Sequence, residues 1–383
     1  MADTVPTIQL GKTFYLKRPI NATIDQIFAP HLLLVGQTGA GKSTTLKQIS
    51  RQLFANKAGQ IIFDPTGEFA AQESQQIKYI LGDNVFFDLS RLNANELIAA
   101  LDLHWDNSLA DRLSHAQSGL RIARYILAGQ ETLWDGQKHT NAEFFDLKEQ
   151  LFASQWDYPL HLLAQQMQQD LAADQAQNRL TEQQSRNCQQ EINRLADRLS
   201  DPRLKTIAPN QDQSKTKYDL VYLLQLAAAK ANYGAKITIN LAQLKELGPL
   251  QAAIMSAAWQ QLLLFQTKAN KKKAVYLLID EGHRFLTADQ EDRQNGLAQI
   301  LREGRKEQLF VAFASQSPLD LPPALLGQFS TLICHRLVNP AEWRQLPLLW
   351  PTVRLTKKIA RLETGQALIK LGRQKEKFGQ IEL

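Results

Sequence analysis

Eight residues near the start of the chain constrain its fold more than any other feature. The apolar run Leu32 to Val35 precedes them and is typical of a buried strand, while Thr44 to Phe54 has the pattern of a helix. Between the two lies a match to GxxxxGK[ST], formed by Gly36, Gln37, Thr38, Gly39, Ala40, Gly41, Lys42 and Ser43. Backbone N–H groups of a glycine-rich turn that opens a helix can surround phosphate oxygens. The segment therefore predicts a phosphate-binding loop.

This loop assigns a role to each of its polar residues. Lys42 is expected to reach the β- and γ-phosphates of ATP, and the Ser43 hydroxyl to coordinate Mg²⁺. Thr44 stands next to Ser43 at the helix start, so we count it with the nucleotide contacts. A glycine-rich turn without a ligand is the alternative interpretation. The strand before the loop, the helix after it and an acidic motif further along the chain favour nucleotide binding.

An acidic pair follows another apolar run. Val275 to Ile279 has the composition of a buried strand and ends in Asp280 and Glu281. Open α/β sheets bind their ligands at the carboxyl ends of the strands. We expect Asp280 to hold Mg²⁺ and Glu281 to activate the attacking water as a general base. Alone, the pair would be read as solvated acids at a strand end. A glutamate beside the metal-binding aspartate also favours an ATPase over a small kinase, because a kinase must exclude water.

Three further polar residues are catalytic candidates. Gln316 follows the apolar run Leu309 to Ala314 and could sense the γ-phosphate and hold the water, or it could cap a turn before Pro318. Arg305, and after it Arg302, could reach a neighbouring subunit's nucleotide as an arginine finger. The alternative for both arginines is an interaction with the helix dipole.

Other polar residues near these motifs have less specific interpretations. Asp64 and Glu68 follow the buried strand Ile61 to Phe63 and could contact the nucleotide site or form a turn. We interpret His283 as structural rather than catalytic. The lysines 271–273 are interpreted as a solvated loop, with contact to DNA phosphates as the alternative.

Apolar strands that alternate with helices predict an α/β fold with a largely parallel central sheet. Residues 1–30 form a short β-rich N-terminal lead-in, with strands expected at 8–10 and 13–16. Residues 31–103 and 235–383 form the ATPase core, in which 85–87 is the third strand. In the second part of this core a helix is expected over 290–305, and a closing pair of strands is expected within 364–383. Residues 104–234 are rich in Gln and in apolar positions at helical spacing, which predicts an inserted helical subdomain.

Composition narrows the possibilities only slightly. The 44 Lys+Arg against 38 Asp+Glu give a net charge of +6, which permits a nucleic-acid partner without requiring one. Only two cysteines occur, Cys188 and Cys334, far apart and without partners at metal-ligand spacing, so we expect neither a structural zinc nor a disulfide framework. We expect a cytoplasmic protein without membrane insertion, because no apolar segment is long enough to span a bilayer.

Taken in order, the motifs resemble those of the HerA–FtsK superfamily of ring-shaped DNA-pumping ATPases, and the HerA type most closely. The matching stretches are Leu33 to Thr45, Phe63 to Phe69, Leu277 to Leu286, Arg302 to Lys306, Ala314 to Pro318 and Arg336 to Pro340. The resemblance implies a RecA-like P-loop NTPase core that binds ATP and Mg²⁺ and assembles as a homo-hexamer around double-stranded DNA. It implies arginine fingers supplied in trans, and as partner a NurA-like nuclease or an anti-phage effector.

Two other functions fit the same motifs. An ATPase of a conjugation or type IV secretion-like apparatus would keep the motor and move a different cargo. A nucleotide-gated scaffold would use the same site to assemble and activate a partner enzyme, with hydrolysis as a timer. ATP-dependent displacement of a DNA strand separates a motor from a scaffold.

Overall fold

The computed structural model describes residues 7–14, 16–69, 78–128, 130–152, 154–208, 216–286, 295–346, 353–372, 374 and 377–381 of the chain. Its strands are β1 (Thr7–Thr13), β2 (Pro19–Thr23), β3 (Leu32–Val35), β4 (Gly59–Asp64), β5 (Tyr79–Ile80), β6 (Val85–Phe86), β7 (Tyr218–Asp219), β8 (Lys236–Asn240), β9 (Val275–Ile279), β10 (Leu309–Ser315), β11 (Thr331–Cys334), β12 (Gln366–Leu371) and β13 (Lys377–Gln380).

The α-helices lie between these strands. They are α1 (Ile24–Ile27), α2 (Lys42–Ala55), α3 (Ala94–Ala100), α4 (Asn107–Tyr125), α5 (Asn141–Glu149), α6 (Leu163–Ala176), α7 (Glu182–Leu199), α8 (Pro202–Ile207), α9 (Leu220–Ala229), α10 (Gly248–Lys268), α11 (Gly296–Glu303), α12 (Pro323–Leu326), α13 (Pro340–Arg344) and α14 (Val353–Ala360). Among the described residues, no helix combines the length and the hydropathy needed to cross a membrane.

The chain divides into two compact units. The first, here called the sheet unit, comprises Met1–Asn84, Leu220–Gly248 and Met255–Leu383. The second, the helical unit, comprises Val85–Asp219 and Pro249–Ile254. These limits differ from the predicted insertion, 104–234, at both ends. Helix α9 packs against β4 and so belongs with the sheet.

The sheet unit is built on one large mixed sheet. Its strand order is β2-β1-β13-β12-β11-β3-β10-β9-β4-β8-β5. The strands from β11 to β5 run parallel to one another, and those from β2 to β11 pair antiparallel. The predicted largely parallel α/β sheet is therefore confirmed at its centre.

Alternate residues of the central strands bury their side chains on opposite faces of this sheet. On one face Leu34, Ile62 and Leu278 share a hydrophobic cluster with Leu46 and Ile49 of α2. On the other face, the Trp259 ring packs edge-on against the rings of Phe63 and Phe285, and its centroid lies 5.2 Å from the centroid of each. Burial on both faces is the reason these strands are continuously apolar.

The N-terminal lead-in belongs to the large sheet rather than preceding it. Strand β1 confirms the predicted strand at 8–10, but the second predicted strand, 13–16, is wrong beyond Thr13. A hairpin turn begins there: the Thr13 N–H donates to the Arg18 carbonyl (2.9 Å), and Lys17 takes a left-handed backbone with φ 49°. Tyr15 of that prediction lies outside the described residues. The chain then returns as β2.

Two further predictions about elements need correction. The apolar run 85–87 is not a strand of the large sheet, because β6 pairs with β7 in a separate two-stranded sheet of the helical unit. The helix expected over 290–305 begins at its N-cap Asn295 and ends at Glu303. A side chain at Gly304 would lie 2.4 Å from the Ile300 carbonyl oxygen, so glycine allows the tight turn into β10. The start of that prediction, 290–294, lies outside the described residues.

The helical unit has its own packing. Helix α6 packs against both α4 and α7. Trp134, Phe144 and Ile122 form a buried apolar cluster within it. At the other end of the chain, β12 and β13 confirm the predicted closing pair of strands.

Candidate nucleotide-binding site

The predicted phosphate loop connects β3 to α2. Residues 36–41 form the loop, and Lys42, Ser43 and Thr44 form the first turn of α2. Gly41, the N-cap, has φ 112°, a left-handed conformation that favours glycine. Gly36 has no room for a side chain, because a Cβ there would lie 2.5 Å from the Cβ of His335. The local backbone thus requires glycine at two of the motif's positions.

The Lys42 side chain folds back over the loop. Its Nζ donates to the Gly36 carbonyl at 2.8 Å and to the Gln37 carbonyl at 3.3 Å, and only 5% of the residue is exposed. Burial lowers the pKa of Lys42, while the charges of Glu281, Asp280 and Asp320 oppose that shift. The ammonium group is therefore partly desolvated and faces carboxylates at the cradle that should receive phosphates.

Asp280 and Ser43 supply the ligands that a magnesium ion prefers. Asp280 is 4% exposed, and burial raises the pKa of its carboxyl, while a hydrogen bond from the Ser43 side chain opposes the shift. A hydroxyl and a carboxylate are hard oxygen donors and fit Mg²⁺, which takes one or two protein ligands beside phosphates and water. Among the described residues no group of three His, Cys, Asp or Glu side chains could hold a metal by itself. A nucleotide-assisted site is consistent with that finding.

Glu281 sits at a sharp turn just past the end of β9. Its backbone is left-handed, with φ 45° and ψ 44°, a conformation that non-glycine residues adopt at some energetic cost. Gly282 makes the turn possible, because a Cβ there would lie 2.2 Å from Cε2 of Phe313. The turn therefore depends on close packing of β9 against β10.

Gln316 joins the phosphate loop to Glu281. Its Oε1 accepts a hydrogen bond from the Thr38 hydroxyl at 3.2 Å, and its Nε2 donates to Glu281 Oε2 at 3.0 Å. The strand order explains this contact, since β10 lies between β3 and β9 and delivers Gln316 between their carboxyl ends. The structure thus brings together the loop, the acidic pair and the expected sensor.

The two arginine candidates are not part of this arrangement. Arg302 lies in the last turn of α11, and the exposed Arg305 lies in the turn that leads into β10. Both precede β10, whereas Gln316 follows it. A seven-residue strand spans about 20 Å at roughly 3.3 Å per residue. The arginines therefore lie at the edge of the sheet opposite their own phosphate loop.

Asp64 organises a turn at the end of β4. Its carboxylate accepts backbone hydrogen bonds from Gly67 (2.8 Å) and Phe69 (2.9 Å), together with the N–H (3.3 Å) and the hydroxyl (3.1 Å) of Thr66. Glu68 is exposed, and its carbonyl accepts from Lys47 Nζ at 3.3 Å. Of the two interpretations offered above, these contacts support the turn. A contact of Asp64 or Glu68 with nucleotide stays a prediction.

His335 supports the phosphate loop and the start of α2 through its two ring nitrogens, and the sequence did not indicate this role. One ring nitrogen, Nε2, lies 2.9 Å from the Thr45 hydroxyl, and Nδ1 lies 2.8 Å from the Gln366 carbonyl. Burial lowers the pKa of His335 to about 4, partly offset by the hydrogen bond to Gln366. The available signal was a histidine directly after the fully buried β11.

Backbone hydrogen bonds from two later segments complete this support. The Gln37 N–H donates to the Arg336 carbonyl at 2.9 Å, and the Gly365 N–H donates to the Ala40 carbonyl at 3.0 Å. The Thr364 hydroxyl donates to the Gly39 carbonyl at 3.3 Å. Three groups of the loop are therefore held by hydrogen bonds to later segments of the chain.

Together these features define a class of protein. A phosphate loop, an acid-tipped strand and a polar-tipped strand between them, all at the carboxyl edge of one parallel sheet, are the parts of a RecA-like P-loop nucleoside triphosphatase. The sequence model of the family described as "Helicase HerA, central domain" matches residues 8–306. The chain belongs to this family, and the fold class and the HerA-type resemblance inferred from sequence are confirmed.

Individual relatives agree with the family. A probable helicase of Methanocaldococcus jannaschii is 23% identical over 90% of this chain, and the DNA double-strand break repair helicase HerA of Saccharolobus solfataricus is 21% identical over 94%. The chain spans 64% of the length of each of these relatives.

Solved structures share the fold at lower identity. VirB4 of Thermoanaerobacter pseudethanolicus is similar with a TM-score of 0.65 and 14% identity, covering 98% of this chain and 96% of its own. The conjugative coupling protein TrwB gives 0.59 and 16%, covering 97% and 89%. TrwB has also been solved in complex with ADP and Mg²⁺.

Proposed function

We propose that this protein is a Mg²⁺-dependent ATPase whose hydrolysis drives movement along, or unwinding of, double-stranded DNA. The observation that carries the ATPase part is the chain of hydrogen bonds from Thr38 through Gln316 to Glu281. These contacts support a site in which Glu281 would act as the general base, Gln316 as the sensor and the loop as the phosphate cradle. TrwB, which shares the fold, binds ADP and Mg²⁺, in agreement with ATP and Mg²⁺ as the ligands of this site.

The residues of the loop bind and orient the triphosphate. Lys42 exchanges its two carbonyl partners for phosphate oxygens, and the N–H groups at the start of α2 offer further donors to the same charge. Ser43 and Asp280 would hold a magnesium ion, which when bound would neutralise part of the phosphate charge. Nucleotide binding therefore requires the Lys42 ammonium group to leave its two carbonyl partners.

Glu281 and Gln316 act on the attacking water. The Glu281 carboxylate accepts a proton from the water as the water oxygen bonds to the γ-phosphorus and the bond from that phosphorus to the bridging oxygen breaks, releasing ADP and phosphate. Gln316, hydrogen-bonded to Glu281, places its amide beside the same water and can sense whether a γ-phosphate is present. Binding and hydrolysis thus depend on different residues, which allows mutations to separate them.

The DNA part of the proposal is supported by relationship rather than by geometry. The chain belongs to a family of helicase central domains, and one relative is named as a DNA double-strand break repair helicase. We infer a cytoplasmic homo-hexamer, in which Arg305, exposed at the sheet edge opposite the loop, would reach the nucleotide of a neighbouring copy. A nuclease or an anti-phage effector is the partner we propose. Likeness to VirB4 and TrwB is one of fold and does not favour secretion over DNA processing.

A strand-displacement assay tests the motor. With ATP and Mg²⁺, purified protein should hydrolyse ATP faster when linear duplex DNA is added, and should displace a third strand from a triplex. Lys42→Ala is the control and should do neither, because a variant that cannot hold the triphosphate cannot cycle. ATP hydrolysis that ignores DNA and displaces nothing would contradict the motor and favour the nucleotide-gated scaffold. Stimulation by DNA only when membranes are added would instead favour a secretion-type ATPase.

A further inference from the structure

His283 is the titratable side chain closest to the proposed general base that the mechanism above does not use. It lies in the short 3-10 helix Gly282–Phe285, which begins directly after Glu281. Its Nδ1 atom is 3.4 Å from Glu281 Oε2, and 31% of its side chain is exposed. From sequence this residue was interpreted as structural. A half-exposed ring whose nitrogen faces the catalytic carboxylate calls for a different interpretation.

The end of β10 fixes the other side of the ring. Nδ1 is 4.0 Å from Asp320 Oδ2 and 3.5 Å from the Ser315 hydroxyl oxygen. The same Asp320 oxygen accepts hydrogen bonds from the Ser315 hydroxyl and from the Ser317 N–H, the latter at 3.0 Å. Asp320 is therefore held by the strand end that also carries Gln316. The histidine ring lies between this fixed carboxylate and Glu281.

These neighbours determine where the ring carries a hydrogen. Glu281 and Asp320 are acceptors when ionised, and the Ser315 hydroxyl already donates its hydrogen to Asp320. Nδ1 must therefore be the donor. The hydrogen bond from Nδ1 goes to the Ser315 hydroxyl oxygen at 3.5 Å, and Nδ1 also lies 3.4 Å from Glu281 Oε2, the oxygen that accepts from Gln316 Nε2 at 3.0 Å. A hydrogen bond and a neighbouring N–H dipole at the same oxygen both favour one orientation of the carboxylate.

We propose that His283 is a positioning residue for the general base Glu281, held in place by Asp320 and Ser315. A glutamate side chain loses rotamer freedom when it is fixed, so its orientation needs support from its neighbours. Without the neighbouring ring, Glu281 would share its population with conformers that point away from the water, and hydrolysis would slow although ATP still binds. This inference rests on the ATPase function proposed above and adds a residue to its machinery.

Steady-state kinetics of three variants test the proposal. His283→Ala should lower kcat by about 10- to 100-fold, a typical loss when a supporting hydrogen bond to an active group is removed, with KM changed less than about 2-fold. His283→Asn should recover part of the rate, since the asparagine amide can donate from the position of Nδ1. Arg284→Ala is the matched control on the same 3-10 helix: Arg284 is exposed, and its removal should leave both constants unchanged.

A double-mutant cycle shows whether His283 acts through Glu281. In single-turnover experiments, His283→Ala should slow hydrolysis in the wild-type background and should cause no further loss in a Glu281→Gln background. Equal losses in both backgrounds, a wild-type kcat for His283→Ala, or a raised KM with unchanged kcat would each overturn the proposal. If the wild-type protein itself hydrolyses no ATP, the proposed function fails instead, so the two failures are distinguishable.

Discussion

At the scale of single residues, His31 links three elements through one neutral ring. It is fully buried just before β3, and its Nδ1 accepts the N–H of Val311 in β10 at 3.0 Å. Its Nε2 must then carry the hydrogen, which it donates to the carbonyl of Leu301 in α11 at 3.0 Å. Burial lowers the pKa of His31 to about 4, with the Leu301 hydrogen bond opposing the shift. Protonation of the ring would place a hydrogen on Nδ1, so that two donors, Nδ1–H and the Val311 N–H, would face each other.

The low pKa of His31 predicts a loss of stability in mild acid. In the unfolded chain this histidine has a pKa of about 6.5, whereas in the folded protein its pKa is about 4. The full free energy of unfolding is therefore present above pH 6.5. Between pH 6.5 and pH 4 it falls by about 1.4 kcal/mol per pH unit as the pH is lowered. Urea unfolding at pH 7 and pH 5 measures this loss. In His31→Gln, the difference between the free energies of unfolding at pH 7 and pH 5 should be about 2 kcal/mol smaller than in the wild-type protein.

The control for this prediction is the same substitution at His104, which is exposed. His104→Gln should unfold with the wild-type pH dependence. An unchanged pH dependence in His31→Gln would mean that the buried ring does not resist protonation. His335, whose pKa is also lowered to about 4 by burial, should contribute a similar loss in the wild-type protein.

At the scale of elements, hydropathy revealed strands but not their partners. The strands β3, β9 and β10 could be predicted because burial on both faces makes their sequences apolar along nearly the whole strand. The run that contains β6 is equally apolar, yet β6 pairs with β7, more than a hundred residues further along the chain. Pairing depends on contacts between distant segments, which a local pattern does not contain. The end of α11 was missed for a different, local reason: helical spacing does not show the tight turn in which the Leu309 N–H donates to the Gly304 carbonyl at 2.7 Å.

The residues of the candidate site were likewise predictable only where a local sequence pattern marks them. Lys42, Asp280 and Gln316 could be predicted because each stands at the carboxyl end of an apolar strand or in a spacing that phosphate binding requires. The residues that support the loop through hydrogen bonds could not be found in this way. His335 and Thr364 lie about 300 residues from the loop they support, and their role depends on the position of β11 and β12 in the sheet.

At the scale of the whole molecule, the position of Arg305 argues for sites shared between copies. It is exposed at the sheet edge opposite the nucleotide, where it cannot help its own subunit. A ring built from head-to-tail contacts would bring that edge to the next subunit's γ-phosphate. Glu281 and Arg305 would then act at the same site from different chains.

Mixing two inactive variants tests this shared site. Arg305→Ala and Glu281→Gln should each hydrolyse little ATP alone. In a random equal mixture, about a quarter of the interfaces would pair an intact Glu281 with an intact Arg305, so about a quarter of the wild-type rate should return. Mixing Arg305→Ala with Lys42→Ala should restore activity in the same way. If neither mixture recovers activity after subunit exchange, Arg305 does not act in trans.

The central claim is that the loop of Lys42 and the carboxylate of Glu281 serve one Mg²⁺-bound ATP, and analysis of bound nucleotide tests it most directly. After incubation with Mg²⁺ and labelled ATP and rapid removal of free nucleotide, wild-type protein should carry mainly ADP. Glu281→Gln should carry ATP and hydrolyse it at least about 100-fold more slowly, because it binds the triphosphate without a general base, and Lys42→Ala should carry neither nucleotide. Wild-type protein that retains no nucleotide, or a Glu281→Gln variant that forms ADP at the wild-type rate, would contradict the account.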